Sequence, residues 1–206
     1  MKPVQHACAA AVALSLLCAP VPAAVDSAAP ATEAESSVEV PPEYAALREQ
    51  AIVLHDRAVE GDEDSADHAV ARLERYLKRF ADDSEARAYL GSAYALMARD
   101  ASSVVNKTRY ANRGLRHLDR ALDAGAGNFT VRMIRANVNS SLPKMFERGG
   151  AALDDMLALD GIYQLAPSRR MAREMVRIYE ELQHRAPGAG PWAERLDRAR
   201  ELSGER

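Results

Sequence analysis

Cysteine is almost absent from this chain: there are two, Cys8 and Cys18, and both stand in the first two dozen positions. If that stretch is removed on export, no disulfide holds the remainder, and stability has to come from packing a core of about 180 residues. Aromatic residues make up only 5% of the chain, with one Trp. From Glu43 onward no run alternates apolar with polar residues, so the signals of a β-sheet are missing. Excess positive charge is missing too. The formal net charge is −3, which argues against a dedicated nucleic-acid protein.

The residues of common chemistries are also lacking. There is no Gly-rich loop behind a strand and no Ser in a nucleophile-elbow setting. Beyond the first two dozen positions the histidines are His55, His68, His117 and His184, none three or four residues from another. A helical metal pair is therefore not expected. His55 and Asp56 are adjacent, which puts them on different faces of a helix. No enzyme activity, cofactor or metal is expected.

What is present begins with Lys2, an apolar run over 7–19, and Val21-Pro22-Ala23-Ala24. This pattern predicts a secretory signal, 1–24, cleaved near Ala23 or Ala24. The run is about 13 residues long, short of the roughly 20 that span a bilayer, so the mature chain is expected to carry no transmembrane helix. Leu17 stands before Cys18 where lipid-modification signals require a small residue, so lipidation is not expected. An Ala-rich composition with Arg favoured over Lys looks bacterial, and the expected location is periplasmic or secreted. Residues 25–42, an acidic mixture of Ala, Pro, Ser, Thr and Glu, bury too little to order themselves and are expected to form a disordered linker.

From 43 to 206 every periodic segment has the 3.6-residue period of a helix. Eight helices are predicted, near 43–60, 65–81, 84–100, 107–124, 129–141, 149–159, 168–184 and 191–202. Ser65 is expected to cap the second and Asn128 the fifth. Gly161 is expected to follow the sixth. Leu90-Gly91 followed by Tyr94 places a Gly between large residues at helical spacing. A Gly there costs roughly 1 kcal/mol relative to Ala, so Gly91 marks a close helix crossing. On this reading Gly91→Leu destabilises by about 1–3 kcal/mol, and Gly91→Ala is mild or stabilising.

Leu90, Gly91 and Tyr94, with Gly114, Leu118 and Ala121 in the following helix, resemble the tetratricopeptide repeat family. The match needs about 10 extra residues around Ala101 to Tyr110, against the family period of roughly 34. Arg87 also departs from the bulky first residue of the consensus. The resemblance implies an all-α, right-handed solenoid of helical hairpins, seven or eight helices in all. It also implies that the first helices of the pairs line a concave face, with Ala88, Ser92 and Ala95 for close approach. A plain helical bundle with the same local packing reads almost alike.

Arg109, Arg113, Arg116 and Arg120, spaced four, three and four apart, make a stripe along the fourth helix, and Arg132 and Arg135 follow in the fifth. With Asn139 they are the candidate partner-binding residues. Three readings of the stripe stand: it is covered by the chain's own acidic linker and first helix, it meets an acidic protein or peptide, or it meets an anionic envelope polymer or lipid headgroup. The function expected is an exported interaction scaffold without catalysis. The alternative is an accessory protein that holds a small anionic solute for a membrane transporter, which needs arginines converging on a pocket.

Overall fold

A computed structural model describes residues 40–204. The expected signal segment, and all of the linker before Val40, lie outside the described residues. Within them the chain forms eight α-helices and no strand: α1 (Pro42–Val59), α2 (Glu63–Leu77), α3 (Ser84–Asp100), α4 (Val104–Ala124), α5 (Phe129–Ser141), α6 (Gly149–Leu165), α7 (Arg169–Arg185) and α8 (Trp192–Ser203). One 3-10 turn, Lys144–Phe146, separates α5 from α6.

Local chemistry sets most of the ends. Asp83, Ser103, Asn128 and Ser168 each accept a hydrogen bond from the backbone three residues on, which satisfies an N–H that the helix cannot. Pro143 ends α5 just beyond Ser141, since its ring cannot continue a helix. The expected ends need correction in three helices. Helix α2 starts at Glu63 and ends at Leu77, short of the expected 81, and Ser65 lies inside it, its hydroxyl donating to Asp62 (2.8 Å). Helix α4 starts at Val104, so most of the residues expected between the helices instead lengthen α4. Helix α6 runs through Gly161 to Leu165, because Gly161 keeps helical backbone and does not take the positive φ with which a glycine ends a helix.

The helices pack as four consecutive hairpins, α1 with α2, α3 with α4, α5 with α6 and α7 with α8. Helix α1, about 27 Å long, turns into α2 through only 60–62, so the two must run antiparallel. Helix α3 is buried on several sides, at Ala86, Ala88, Leu90, Ala93, Tyr94 and Ala98, because it packs on α1, α2, α4 and α5 at once. Its contact with α4 is close: a Cβ on Gly91 would sit 2.7 Å from Leu118 Cγ and 2.8 Å from the Gly114 carbonyl oxygen. A second core centres on Met156, Leu159, Met175, Ile178, Tyr179 and Trp192 of the last hairpins.

Candidate functional site

The first helix of each hairpin, α1, α3, α5 and α7, lines a groove of about 960 Å³ together with the first half of α4 and the 3-10 turn. Its walls are apolar. Val59 comes from α1, Leu96 from α3, Val104 from α4, Ile134 and Val138 from α5, and Met145 and Phe146 from the turn. Met145 and Val104 are each 77% exposed and Val59 54%. Large side chains held this open to water cost free energy that a partner could recover.

Polar groups in the lining are mostly engaged with one another. Ser141 Oγ donates to the Asn137 carbonyl (2.8 Å), and Arg177 donates to the Asn137 side chain. Arg99 holds Asp100 and the Ala58 carbonyl. Ser92 and His55 also line the groove, with Ser92 Oγ 2.8 Å from His55 Nε2 and His55 Nδ1 3.0 Å from Asp56. Burial pulls the imidazole below its ordinary value, against the opposing pull of Asp56. The neutral tautomer then donates from Nδ1–H to Asp56 and accepts the Ser92 hydroxyl at Nε2. Adjacency in sequence did not keep His55 from Asp56, and no sequence pattern linked His55 to Ser92 on another helix.

The arginine stripe does not meet this groove. Helix α4 turns Val104, Lys107, Thr108 and Ala111 toward it, and Arg109, Arg113, Arg116 and Arg120 stand exposed on another side. Arg109 lies over Tyr110, and Arg113 pairs with Glu74 of α2 (2.6 Å) while covering the Tyr94 ring. Arg116 and Arg120 have no ion-pair partner among the described residues.

Arg135 and Asn139 are buried, which corrects the expectation for both, while Arg132 is half-buried. Arg135 is 8% exposed and bonds Asp155 (2.6 Å) and Asp119 (3.0 Å), and Arg132 reaches Asp155 as well (2.9 Å). Asn139 is 2% exposed and accepts from Arg148, a residue the sequence reading did not single out, which also holds Asp119. The acids that neutralise these arginines come from α4 and α6.

His117 stacks on Tyr94 with ring centroids 5.7 Å apart, and its Nδ1 is buried with no hydrogen-bond partner among the described residues. Burial, then the charges of Arg87, Arg113 and Arg120, push its pKa down to about 4, with Glu74 opposing. In the unfolded chain a His titrates near 6.5. Between about pH 6.5 and 4 the unfolded chain therefore binds a proton that the folded one refuses, and stability falls as the pH is lowered through that window. Thermal midpoints measured across it should show the fall. His117→Phe, which keeps the ring stack, should remove part of it; an unchanged acid limb in the variant would contradict the assignment.

Comparison of the chain with family models, with curated proteins and with solved structures finds no match. The tetratricopeptide resemblance rests on residue patterns alone: Leu90, Gly91 and Tyr94, Gly114, Leu118 and Ala121 in α4, and Ala69, Leu73 and Tyr76 or Leu77 in α2.

Proposed function

We propose that this protein is an exported, tetratricopeptide-like right-handed solenoid that holds a segment of a partner protein in its groove and does no chemistry on it. The observation that carries the reading is the groove itself: the first helix of every hairpin lines it, together with the start of α4 and the 3-10 turn, and its exposed apolar side chains come from α1, α4 and that turn. That is the face a repeat stack offers to a partner. The competing reading, a carrier of small anionic solutes, needs arginines converging on a cavity. Of the two that line the groove, Arg99 is paired with Asp100 and Arg177 stands on another helix bonded to Asn137, and the arginines that converge do so on Asp119 and Asp155, so we do not adopt it.

The Ser92, His55 and Asp56 series has the order of a nucleophile, a base and its orienting acid. Acyl transfer also requires donors aimed at the developing oxyanion. Ser92 sits in the middle of α3, where the neighbouring backbone N–H groups are consumed by the helix. We read the hydrogen bond as a strut between α1 and α3. A fluorophosphonate probe should leave Ser92 unlabelled, and labelling that disappears in His55→Ala would overturn the non-catalytic reading.

The groove and the stripe make separable predictions. Met145→Glu places a charge on an exposed groove residue without touching the core, and it should abolish capture of the partner from an envelope extract. Arg116→Glu combined with Arg120→Glu should leave capture intact. The opposite pattern would move the interface to the stripe, and indifference of the same captured protein to both variants would sink the scaffold reading.

A further inference from the structure

The groove's own chemistry restricts what form its occupant takes. Every buried amide and carbonyl of an extended peptide needs a partner, and each one left unmade costs about 1–3 kcal/mol. Here the large apolar walls are Val, Leu, Ile, Met and Phe, and several of the polar groups between them already bond within the protein, Ser92 to His55 and Ser141 to the Asn137 carbonyl, leaving few to meet a peptide backbone. A helix satisfies its backbone internally and brings only side chains to such a surface. An acyl chain meets that condition as well, but a single chain is narrow. The apolar side chains that stand most exposed, Val59, Val104 and Met145, belong to three different elements around the groove, and a helix of about 10 Å diameter brings several side chains to such a surface where an acyl chain brings one.

Charge adds a second restriction. Lys107 of α4 and Arg177 of α7 line the groove and have no carboxylate partner among the described residues; Lys107 reaches only the Arg99 carbonyl, at 3.4 Å. One acid, Glu174, lines it beside them. The cations belong to separate elements, so an occupant with acids flanking its apolar face is complementary to both. The chain's own segment 25–39 is acidic, but Val25 and Val38 are its largest apolar residues, too little to fill this volume. Resting on the scaffold reading above, we infer that the groove receives an amphipathic α-helix of a partner protein, its apolar face on Val59, Leu96, Val104, Ile134, Met145 and Phe146 and its flanking acids toward Lys107 and Arg177.

The test presents the purified full-length protein with three probes. The first is a display library of hydrocarbon-stapled helices of about 16 residues with apolar positions at i, i+3, i+4 and i+7 and Glu or Lys on the flanks. The second has the same composition interrupted by Pro every fourth residue or so, which forbids a helix, and the third is dansyl-undecanoic acid. The stapled library should enrich, with Glu retained on the flanks. Selected helices should bind about tenfold or more weakly to Met145→Glu, and also more weakly to Lys107→Glu with Arg177→Glu and at high salt. Enrichment of the Pro-interrupted library instead would overturn the helix inference and leave the scaffold reading standing. Enrichment that requires deletion of 25–39 would make the chain's own segment the occupant and overturn the inference in that way. Binding of the fatty-acid probe alone, or of nothing, would overturn inference and scaffold together.

Discussion

Gly114→Ala should lower the stability of this protein by about 3 kcal/mol, the upper end of the usual overpacking cost, although Ala is the better helix former by about 1 kcal/mol. An added Cβ would lie 2.5 Å from the Gly91 carbonyl oxygen and 3.3 Å from the Ala95 nitrogen. Both are backbone atoms and neither can rotate away, so α3 and α4 would have to separate. For a domain of this size the melting midpoint should fall by about 6–12 °C. Gly91→Ala should be damaging as well, since its Cβ would meet the Gly114 oxygen at 2.8 Å and Leu118 Cγ at 2.7 Å. This corrects the expectation, drawn from helix propensity, that Ala would be mild there. Gly91→Leu should be the worst of the three. An unchanged midpoint in Gly114→Ala would mean that the two helices lie farther apart than described here.

Removing Arg135 should cost about 3–5 kcal/mol, the range seen when one partner of a buried ion pair is deleted. Asp155 is fully buried and is held by Arg135 and Arg132. Burial pushes its carboxyl above the ordinary range despite both arginines. Asp119 is the contrast: burial also pushes it up, but hydrogen bonds and charge from Arg148 and Arg135 outweigh this and hold it low.

The signs give a pH test. A raised carboxyl makes the folded state the better proton binder, so the burden of a buried Asp155 left with Arg132 alone in Arg135→Ala lifts as the pH falls and the group is neutralised. The help that Asp119 draws from Arg135 in the wild type is present above the unfolded carboxylate pKa and is lost as the pH falls through its lowered value. Both effects shrink the gap between wild type and variant in acid. Urea midpoints measured from neutral to acid pH should converge, and Arg135→Met with Asp155→Leu should recover most of the neutral-pH loss by replacing the pair with apolar volume. A gap that is constant with pH would mean that Arg135 contributes by packing alone.

Helix positions were largely legible in the sequence because they follow from local physics. The 3.6-residue spacing of Ala111, Leu115, Leu118 and Ala121 marks an inward face, and Asn128 and Pro143 bracket α5 by capping and by steric exclusion. Where the pattern had no apolar partner it misled. Val104 and Val105 are 77% and 75% exposed, so the opening of α4 shows no buried periodicity, and Ser103 was the only sign of its start. Gly161 misled in the other direction, since a glycine on an open helix face stops nothing.

The candidate site was far less legible. An arginine at helical spacing has the same local signature whether it meets water or a buried carboxylate. Arg116 and Arg120 meet water; Arg135 meets Asp155, 20 residues away on another helix. The same holds for His55 and Ser92, 37 residues apart, and for the groove, whose walls are drawn from six separate elements.

By itself the sequence determined the all-helical composition, most helix limits and the glycine that allows α3 to approach its neighbour, since hydrophobic period, capping and backbone sterics act within a few residues of chain. The tertiary structure decided that Gly114 faces Gly91, that Arg135 lies inside against Asp155, and that five helices and the 3-10 turn meet around a largely apolar groove. Those depend on which helix packs beside which, and contacts between distant residues carry no local spacing from which they can be read.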